Sequence, residues 1–149
     1  MKVSKYMTQK LIAVSPETSV KEAFTTMRAR RVRHLPVVDG DKLVGIISDR
    51  DLRRPKWAES IDDWTRYYQI DDDITVKDIM TSNPEVAHTY DNVLKAVRLF
   101  REQRYGALPV QDKTGKLVGI LSAQDLLLAL EELLTEKSAA KKGKKNKRD

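Results

Sequence analysis

The chain contains one sequence pattern twice. Residues 3–52 and 76–126 both read V-x-x-x-M-T, then V-x-x-A-x-x-x-[MF], then L-P-V, then K-L-V-G-I-[IL]-S-x-x-D-L. The spacing between corresponding residues stays constant until the loop at residues 39–41, which is one residue longer at 112–115 in the second copy. Because a length change inside a turn leaves the flanking elements in register, the pattern indicates a duplicated supersecondary unit.

The spacing of apolar residues predicts the elements of each copy. Positions i, i+3, i+4 and i+7 form one helical face, occupied by Val20, Ala23, Phe24 and Met27 in the first copy and by Val93, Ala96, Val97 and Phe100 in the second. Ser19 is the expected N-cap of the first helix, and Asp91 or Asn92 that of the second. Two β-rich runs around a turn follow, and a second helix begins near Ser48 or Ser122. Each copy therefore predicts the order strand, helix, strand, strand, helix.

The size of the repeat predicts that the two copies pack together. One unit of about 50 residues is too small to cover both faces of its sheet, and the apolar runs at 43–47 and 117–121 do not alternate with polar residues. We therefore predict an α/β (α+β) fold in which two β-α-β-β-α units pair through their sheets with pseudo-twofold symmetry. The predicted boundaries are 1–53 for the first unit, 54–75 for the segment between the units, 76–136 for the second unit and 137–149 for a tail.

The composition excludes several classes of chemistry. The chain has no cysteine and only two histidines, which are far apart in sequence, so disulfides, thiolate catalysis and a metal site are not expected. It has no G-x-S-x-G, G-x-x-x-x-G-K or HExxH motif, so we predict that it is not an enzyme and needs no cofactor. No run resembles a signal peptide or reaches about 20 apolar residues, so a cytoplasmic location without a membrane span is expected.

The net charge of +6 is concentrated in the tail. Residues 137–149 contain seven lysine and arginine residues and one aspartate, whereas the rest of the chain holds equal numbers of basic and acidic residues. Such a segment buries too little apolar surface to offset its chain entropy, which predicts disorder. Two roles remain open, a solubilising tail or an arm that attracts nucleic acid or anionic lipid.

The segment between the repeats, residues 54–75, combines aromatic and acidic residues. Residues 60–63 are suited to cap a short helix that carries Trp64, Tyr67 and Tyr68. We predict that these aromatic residues, together with Trp57, pack on the core, and the alternative is a lid or an oligomer contact. The acidic run at 71–73 lacks the ligand spacing of a calcium loop, so it is interpreted as a solvated turn.

The complete pattern, present twice in the same order, resembles a tandem pair of CBS domains, the family named after cystathionine β-synthase. The resemblance covers Val3 to about Glu136. It implies two units packed through their sheets, clefts that bind adenosine-containing ligands such as AMP, ADP, ATP or S-adenosylmethionine, and dimerisation of pairs into a flat disc. It also implies a sensory module that controls an effector.

The motif S-x-x-D occurs at Ser48 to Asp51 and at Ser122 to Asp125, and it has two interpretations. The family resemblance makes the aspartate a ribose ligand, because a carboxylate accepts hydrogen bonds from both ribose hydroxyls. It places the serine at a helix N-terminus that attracts a phosphate. The same residues also match a capping box, in which serine and aspartate satisfy backbone N–H groups. The sequence leaves both interpretations open.

The resemblance further implies that each cleft combines S-x-x-D of one unit with the first strand and the stretch before L-P-V of the other. One predicted set is Ile46, Ser48, Arg50 and Asp51 with Glu85, Tyr105, Gly106, Ala107 and Pro109. The other is Ile120, Ser122, Gln124 and Asp125 with Ile12, Val32, Arg33, His34 and Pro36. Backbone groups would bind the adenine edge while apolar side chains cover its faces.

The two predicted sets differ in charge. Arg33 and His34 have uncharged counterparts in the other set, so the cleft that contains Asp125 is predicted to be the better nucleotide site. Glu85 would repel a phosphate in the cleft that contains Asp51, which favours a less charged adenosine compound there or an empty cleft. The adjacent arginines are interpreted as a solvated helix end: Arg28, Arg30 and Arg31.

Together these features predict a regulatory module that binds an adenosine-containing ligand, signals energy or metabolite state to a partner protein and forms a homodimer. Two other classes remain open. One is a structural dimerisation module with unused clefts. The other is a nucleic-acid-associated protein that uses the basic tail.

Overall fold

The computed structural model describes residues 1–53 and 74–146. The helices are α1 (Val3–Tyr6), α2 (Val20–Arg30), α3 (Asp49–Arg53), α4 (Val76–Ile79), α5 (Val93–Gln103) and α6 (Ala123–Asn146). The strands are β1 (His34–Asp39), β2 (Lys42–Ser48), β3 (Thr81–Ser82), β4 (Ala87–His88), β5 (Ala107–Gln111) and β6 (Leu117–Ser122). The predicted aromatic helix and acidic turn at 54–73 lie outside the described residues.

Two three-stranded sheets form the centre of the fold, in the orders β1-β2-β3 and β4-β5-β6. Each contains one of the predicted hairpins, in which His34 lies opposite Ser48 and Ala107 lies opposite Ser122. A helix begins directly after each of these serines. The prediction of a mixed α/β fold is therefore confirmed. Each sheet is built on the hairpin of one repeat, and the first sheet also includes β3 from the second repeat.

Each repeat begins with a short helix that was not predicted from the sequence, ahead of the predicted first strand. Residues 3–8 and 76–81, which we call the leading segments, start with the short helices α1 and α4. The physical reason is that their apolar residues are spaced i, i+3 and i+4, which places them on one side of a helical turn. The predicted first strand follows and is short: β4 pairs in parallel with β5 in the second repeat, and Val14 forms a parallel bridge with Val37 in the first.

The leading segments are exchanged between the repeats. Val3 and Tyr6 of α1 are buried in the core of the second repeat, and Val76 of α4 is buried in the core of the first. The Tyr6 hydroxyl donates to a carboxylate oxygen of Glu132 in α6 at 2.8 Å, and the Lys5 ammonium donates to the same oxygen at 2.8 Å. Each repeat therefore completes the hydrophobic core of the other.

The predicted caps agree with the structure, and so do the predicted helical faces except at Val97, which is exposed. Ala23 and Met27 of α2 and Val93 and Ala96 of α5 are buried. The Ser19 hydroxyl accepts from the Glu22 N–H at 3.1 Å, and the Asn92 side chain caps α5. The first core consists of Ala23, Met27, Leu35, Val37, Ile47, Leu52 and Val76. The second consists of Val3, Tyr6, Ala87, Val93, Ala96, Leu108, Val110, Leu121 and Ala129.

Helix α6 is longer than the sequence suggests. It continues to Asn146, so most of the segment expected to be disordered is helical here. Alanine and lysine are good helix formers, and adding residues to an existing helix avoids the cost of nucleation. Among the described helices, this one included, none has an apolar stretch long enough to cross a membrane.

The exchange of leading segments depends on two glycines in the hairpins. Thr8 and Ile120 exchange two backbone hydrogen bonds, of 2.9 and 3.0 Å. A Cβ at Gly119 would lie 2.7 Å from the Thr8 carbonyl oxygen, and one at Gly45 would lie 2.5 Å from the Met80 sulfur and 3.0 Å from the Thr81 carbonyl oxygen. The glycine in each K-L-V-G-I motif therefore makes room for the crossing segment of the other repeat.

Gly119→Ala is expected to lower the free energy of unfolding by about 1–3 kcal/mol, because the new methyl group meets a backbone atom that is held by two hydrogen bonds. Urea denaturation measures the change. The control is Gly143→Ala in α6, where nothing lies within 4 Å of the new Cβ. This control is expected to raise stability slightly, by at most about 1 kcal/mol. Equal stability of Gly119→Ala and wild type would contradict a close crossing at this glycine.

Candidate ligand-binding clefts between the repeats

Two clefts lie where the repeats meet, and each contains one S-x-x-D motif. The Asp51 cleft has a volume of about 520 Å³, and the Asp125 cleft has a volume of about 620 Å³. Both are assembled from the hairpin and following helix of one repeat together with residues of the other. Their volumes fall in the range of small-molecule sites, which is about 300–1,000 Å³.

The predicted residues of the Asp51 cleft are brought together with one exception. Pro109 lies within β5 opposite Ile120, is fully buried, and does not line the cleft. The predicted residues that do line it are Ile46, Ser48, Arg50, Asp51, Glu85, Tyr105, Gly106 and Ala107.

All nine residues predicted for the Asp125 cleft line it: Ile12, Val32, Arg33, His34, Pro36, Ile120, Ser122, Gln124 and Asp125. The first five come from the first repeat and the last four from the second. The residues that the family resemblance implied for this cleft are distant in the chain and meet at the seam.

Both S-x-x-D motifs form capping boxes. The Ser48 N–H donates to Asp51 Oδ2 at 2.9 Å, and the Asp51 N–H donates to the Ser48 hydroxyl at 3.2 Å. At the second motif the Ser122 N–H donates to Asp125 Oδ2 at 2.7 Å, and the Asp125 N–H donates to the Ser122 hydroxyl at 3.3 Å. The capping interpretation is therefore confirmed.

The capping boxes use one oxygen of each carboxylate. Within the described part of the chain, the hydrogen bonds that the Asp51 and Asp125 carboxylates accept all involve Oδ2. A carboxylate has about four acceptor positions on two oxygens. Each aspartate is therefore able to cap its helix and still accept hydrogen bonds from a molecule in the cleft.

Several cleft residues were missed by the sequence reasoning. Arg31, interpreted from the sequence as part of a solvated helix end, lines the Asp125 cleft, and its counterpart Arg104 lines the Asp51 cleft. Both arginines terminate a helix in the left-handed conformation, with φ of 54° and 56°. The sequence did contain a signal for these two cleft residues, because an arginine occurs at the same position in both repeats. The leading segments and the residues after them contribute further missed positions: Thr8, Lys10, Leu11, Thr81, Asn83 and Pro84.

The seam residues Arg33, His34 and Gly106 line both clefts. The sequence placed Arg33 and His34 in the Asp125 cleft alone. For His34 the reason is that the residue facing it from the other repeat is glycine: a Cβ at Gly106 would lie 2.5 Å from His34 Nε2. Position 106 thus leaves space for the imidazole between the clefts.

The clefts differ in their balance of charge. The Asp125 cleft is lined by three permanent cations and one carboxylate, namely Lys10, Arg31, Arg33 and Asp125. The Asp51 cleft is lined by three cations and three carboxylates, namely Arg33, Arg50, Arg104, Asp49, Asp51 and Glu85. The Asp125 cleft is therefore the more electropositive of the two, mainly because it has fewer acidic residues.

His34 contributes little positive charge near neutral pH. Burial lowers the pKa of its imidazole below the ordinary value of 6.5, and this effect outweighs the opposing effect of Asp49 and Asp51. Among the described residues, no group of three or more His, Cys, Asp or Glu side chains is arranged to hold a metal ion.

The pKa of His34 predicts a pH-dependent contribution to stability. A base whose pKa is lower in the folded than in the unfolded state destabilises the fold as it becomes protonated. Stability is therefore expected to fall as the pH drops below the ordinary imidazole pKa of 6.5, and the fall should be smaller in His34→Gln. Urea denaturation of both proteins at several pH values measures this difference. Identical pH dependence would contradict a role for His34.

Sequence comparison identifies relatives of the chain. Residues 3–55 and 76–132 each match the CBS domain family. A CBS domain-containing protein from Dictyostelium discoideum is 34% identical over 137 residues, which cover 89% of this chain and 92% of that protein. An inosine-5'-monophosphate dehydrogenase from Thermoplasma acidophilum is 34% identical over 114 residues, but the chain spans only 20% of its length.

Solved structures show the same arrangement. CBSX2, a CBS-pair protein from Arabidopsis thaliana, is 33% identical with a TM-score of 0.78, covering 90% of this chain and 96% of that one. A complex of CBSX2 with AMP has a TM-score of 0.72 at 34% identity, covering 89% and 97%. The CBS domain pair of protein MJ0100, in complex with 5'-methylthioadenosine and S-adenosyl-L-methionine, has a TM-score of 0.73 at 25% identity, covering 89% and 97%. The chain belongs to the CBS domain family and contains two CBS domains.

Proposed function

We propose that this chain is a regulatory module that binds an adenosine-containing ligand between its two CBS domains and communicates the bound state to a partner protein. The observation that carries the proposal is the presence of two clefts, each with an S-x-x-D motif at a helix start and residues of the opposite repeat around it. The related CBSX2 and MJ0100 structures contain AMP, 5'-methylthioadenosine and S-adenosyl-L-methionine, all of which are adenosine compounds.

The aspartate in each cleft is proposed to bind the ribose. Its Oδ1 accepts from the 2′ and 3′ hydroxyls as charge-assisted hydrogen bonds, while Oδ2 keeps its backbone partner. Apolar side chains, such as Ile12, Val32 and Ile120 in the Asp125 cleft, cover the adenine ring. The same side chain thus holds both the helix start and the sugar.

A ligand that carries phosphate is proposed to prefer the Asp125 cleft. Lys10, Arg31 and Arg33 supply cations there. The cleft is also lined by Ser122 and Ala123 at the N-terminus of the long helix α6, which attracts anions. In the Asp51 cleft the carboxylates of Glu85 and Asp49 offset the arginines, so an adenosine compound with little or no negative charge is expected there.

The test is isothermal titration with AMP, ATP and S-adenosylmethionine, using Asp125→Asn and its matched control Asp51→Asn. Asparagine retains an oxygen for the capping box but loses the charge that the ribose requires. AMP affinity is expected to fall about tenfold or more in Asp125→Asn, which corresponds to the loss of charge-assisted hydrogen bonds. It should change little in Asp51→Asn.

Two results would overturn the proposal or part of it. Absence of binding by any adenosine compound would leave S-x-x-D as a helix cap alone and favour a structural dimerisation module. Loss of AMP affinity in Asp51→Asn instead of Asp125→Asn would reverse the assignment of the clefts. Copurification of nucleic acid with the full chain would favour the basic C-terminal residues as the functional element.

A homodimer is proposed to form through an outer face of the second repeat. This outer face consists of Leu94 and Val97 on α5 and Leu127, Leu130 and Leu134 on α6, all of which are exposed. The α6 residues are spaced i, i+3 and i+7, so they lie on one side of the helix, and α5 and α6 are adjacent. A row of exposed large apolar side chains on neighbouring helices is typical of a protein interface.

The double variant Leu127→Lys with Leu130→Lys is expected to convert the dimer to a monomer, because it places charge in the apolar face. Light scattering during gel filtration measures the mass. Ala29→Lys on α2 adds charge at an exposed position of the first repeat and should leave the mass unchanged. A monomeric wild type, or a dimer that survives both substitutions, would contradict this assignment.

The cytoplasmic location stays a prediction.

A further inference from the structure

We infer that Arg33 couples the two clefts, so that an anionic ligand in the Asp125 cleft strengthens the binding of a cationic adenosine compound in the Asp51 cleft. This inference rests on the proposed function and concerns the regulation of the same sites. The structural basis is one cation that lines two clefts and has no equivalent in the other repeat.

Arg33 occupies the seam directly before β1. Its carbonyl oxygen accepts a hydrogen bond from the Asp49 N–H at 2.8 Å, which holds its backbone beside the start of α3. The side chain is exposed and lines both clefts. The corresponding residue of the second repeat is Gly106, whose carbonyl accepts from the Ala123 N–H at 3.3 Å but which has no side chain. Exact symmetry between the repeats would place an arginine at both equivalent positions, but only the first repeat has one.

The charge of the Asp51 cleft depends on Arg33. With this arginine the cleft has equal numbers of cations and carboxylates. When a phosphate in the Asp125 cleft attracts the guanidinium, Arg50 and Arg104 remain against three carboxylates. The Asp51 cleft then has a net negative charge, which disfavours an anion and favours a cation.

His34 does not replace the lost charge. It lies between the clefts against Gly106, and its lowered pKa leaves the imidazole neutral near pH 7. Among the described residues, the exposed guanidinium of Arg33 is therefore the permanent cation that lines both sites. Because coupling between two binding sites is reciprocal, a cation in the Asp51 cleft also strengthens the binding of an anion in the Asp125 cleft.

The experiment measures the affinity of S-adenosylmethionine, which carries a cationic sulfonium, with and without saturating AMP. In wild type, AMP is expected to lower the Kd of S-adenosylmethionine about fivefold, the lower end of typical coupling because Arg33 is exposed and screened. In Arg33→Gln the ratio of the two Kd values should approach one. The effect should also weaken at high salt.

Arg50→Gln is the matched control, because Arg50 lines the Asp51 cleft but not the Asp125 cleft. It should change both Kd values of S-adenosylmethionine by the same factor and preserve their ratio. A wild-type ratio of one, a ratio that survives in Arg33→Gln, or competition between the two ligands would overturn the coupling while leaving the proposed function intact. Failure of both AMP and S-adenosylmethionine to bind would instead count against the proposed function, whereas failure of S-adenosylmethionine alone would overturn the coupling only.

Discussion

The relative position of the two repeats depends on the contact between each leading segment and a glycine in the opposite hairpin. At Gly119 the Thr8 backbone approaches so closely that a methyl group does not fit, and Gly45 receives Met80 and Thr81 in the same way. Because α1 and α4 are buried in the opposite cores, neither repeat has a complete core without the other. The clefts lie along this seam, so their shape is a direct consequence of the exchange.

The sequence predicted the elements that depend on local patterns and missed the exchange. The hairpins, the buried faces of α2 and α5, and the caps at Ser19 and Asn92 follow from periodicity and local hydrogen bonding. Val3 and Val76 occupy equivalent positions, so the pattern is identical whether a leading segment packs on its own repeat or on the other one. Only the three-dimensional arrangement distinguishes these alternatives.

The site residues were predictable to the extent that they belong to a recurring motif. S-x-x-D and the stretch before L-P-V were identified, but the side chains of Arg31 and Arg104 were not. Charge at a helix C-terminus is usually solvated and stabilised by the helix dipole. Here the left-handed residue that ends each helix lies at the cleft instead, and sequence spacing does not reveal where the chain turns after such a residue.

The capping and ligand interpretations of S-x-x-D are compatible, and this has a physical consequence. A carboxylate that already accepts a backbone hydrogen bond has lost rotamer freedom before any ligand arrives, so less conformational entropy is lost on binding.

The same bond connects the ribose position to the first turn of α3 or α6. In the second repeat that helix continues from Asp125 to the exposed leucines of the outer face. One continuous helix therefore connects the cleft to the proposed dimer surface. The first repeat lacks an equivalent of Leu94 on this surface, because Lys21 on α2 occupies that position. The two clefts of the duplicated unit therefore differ in the charge of their lining residues and in the described length of the helix that begins at each.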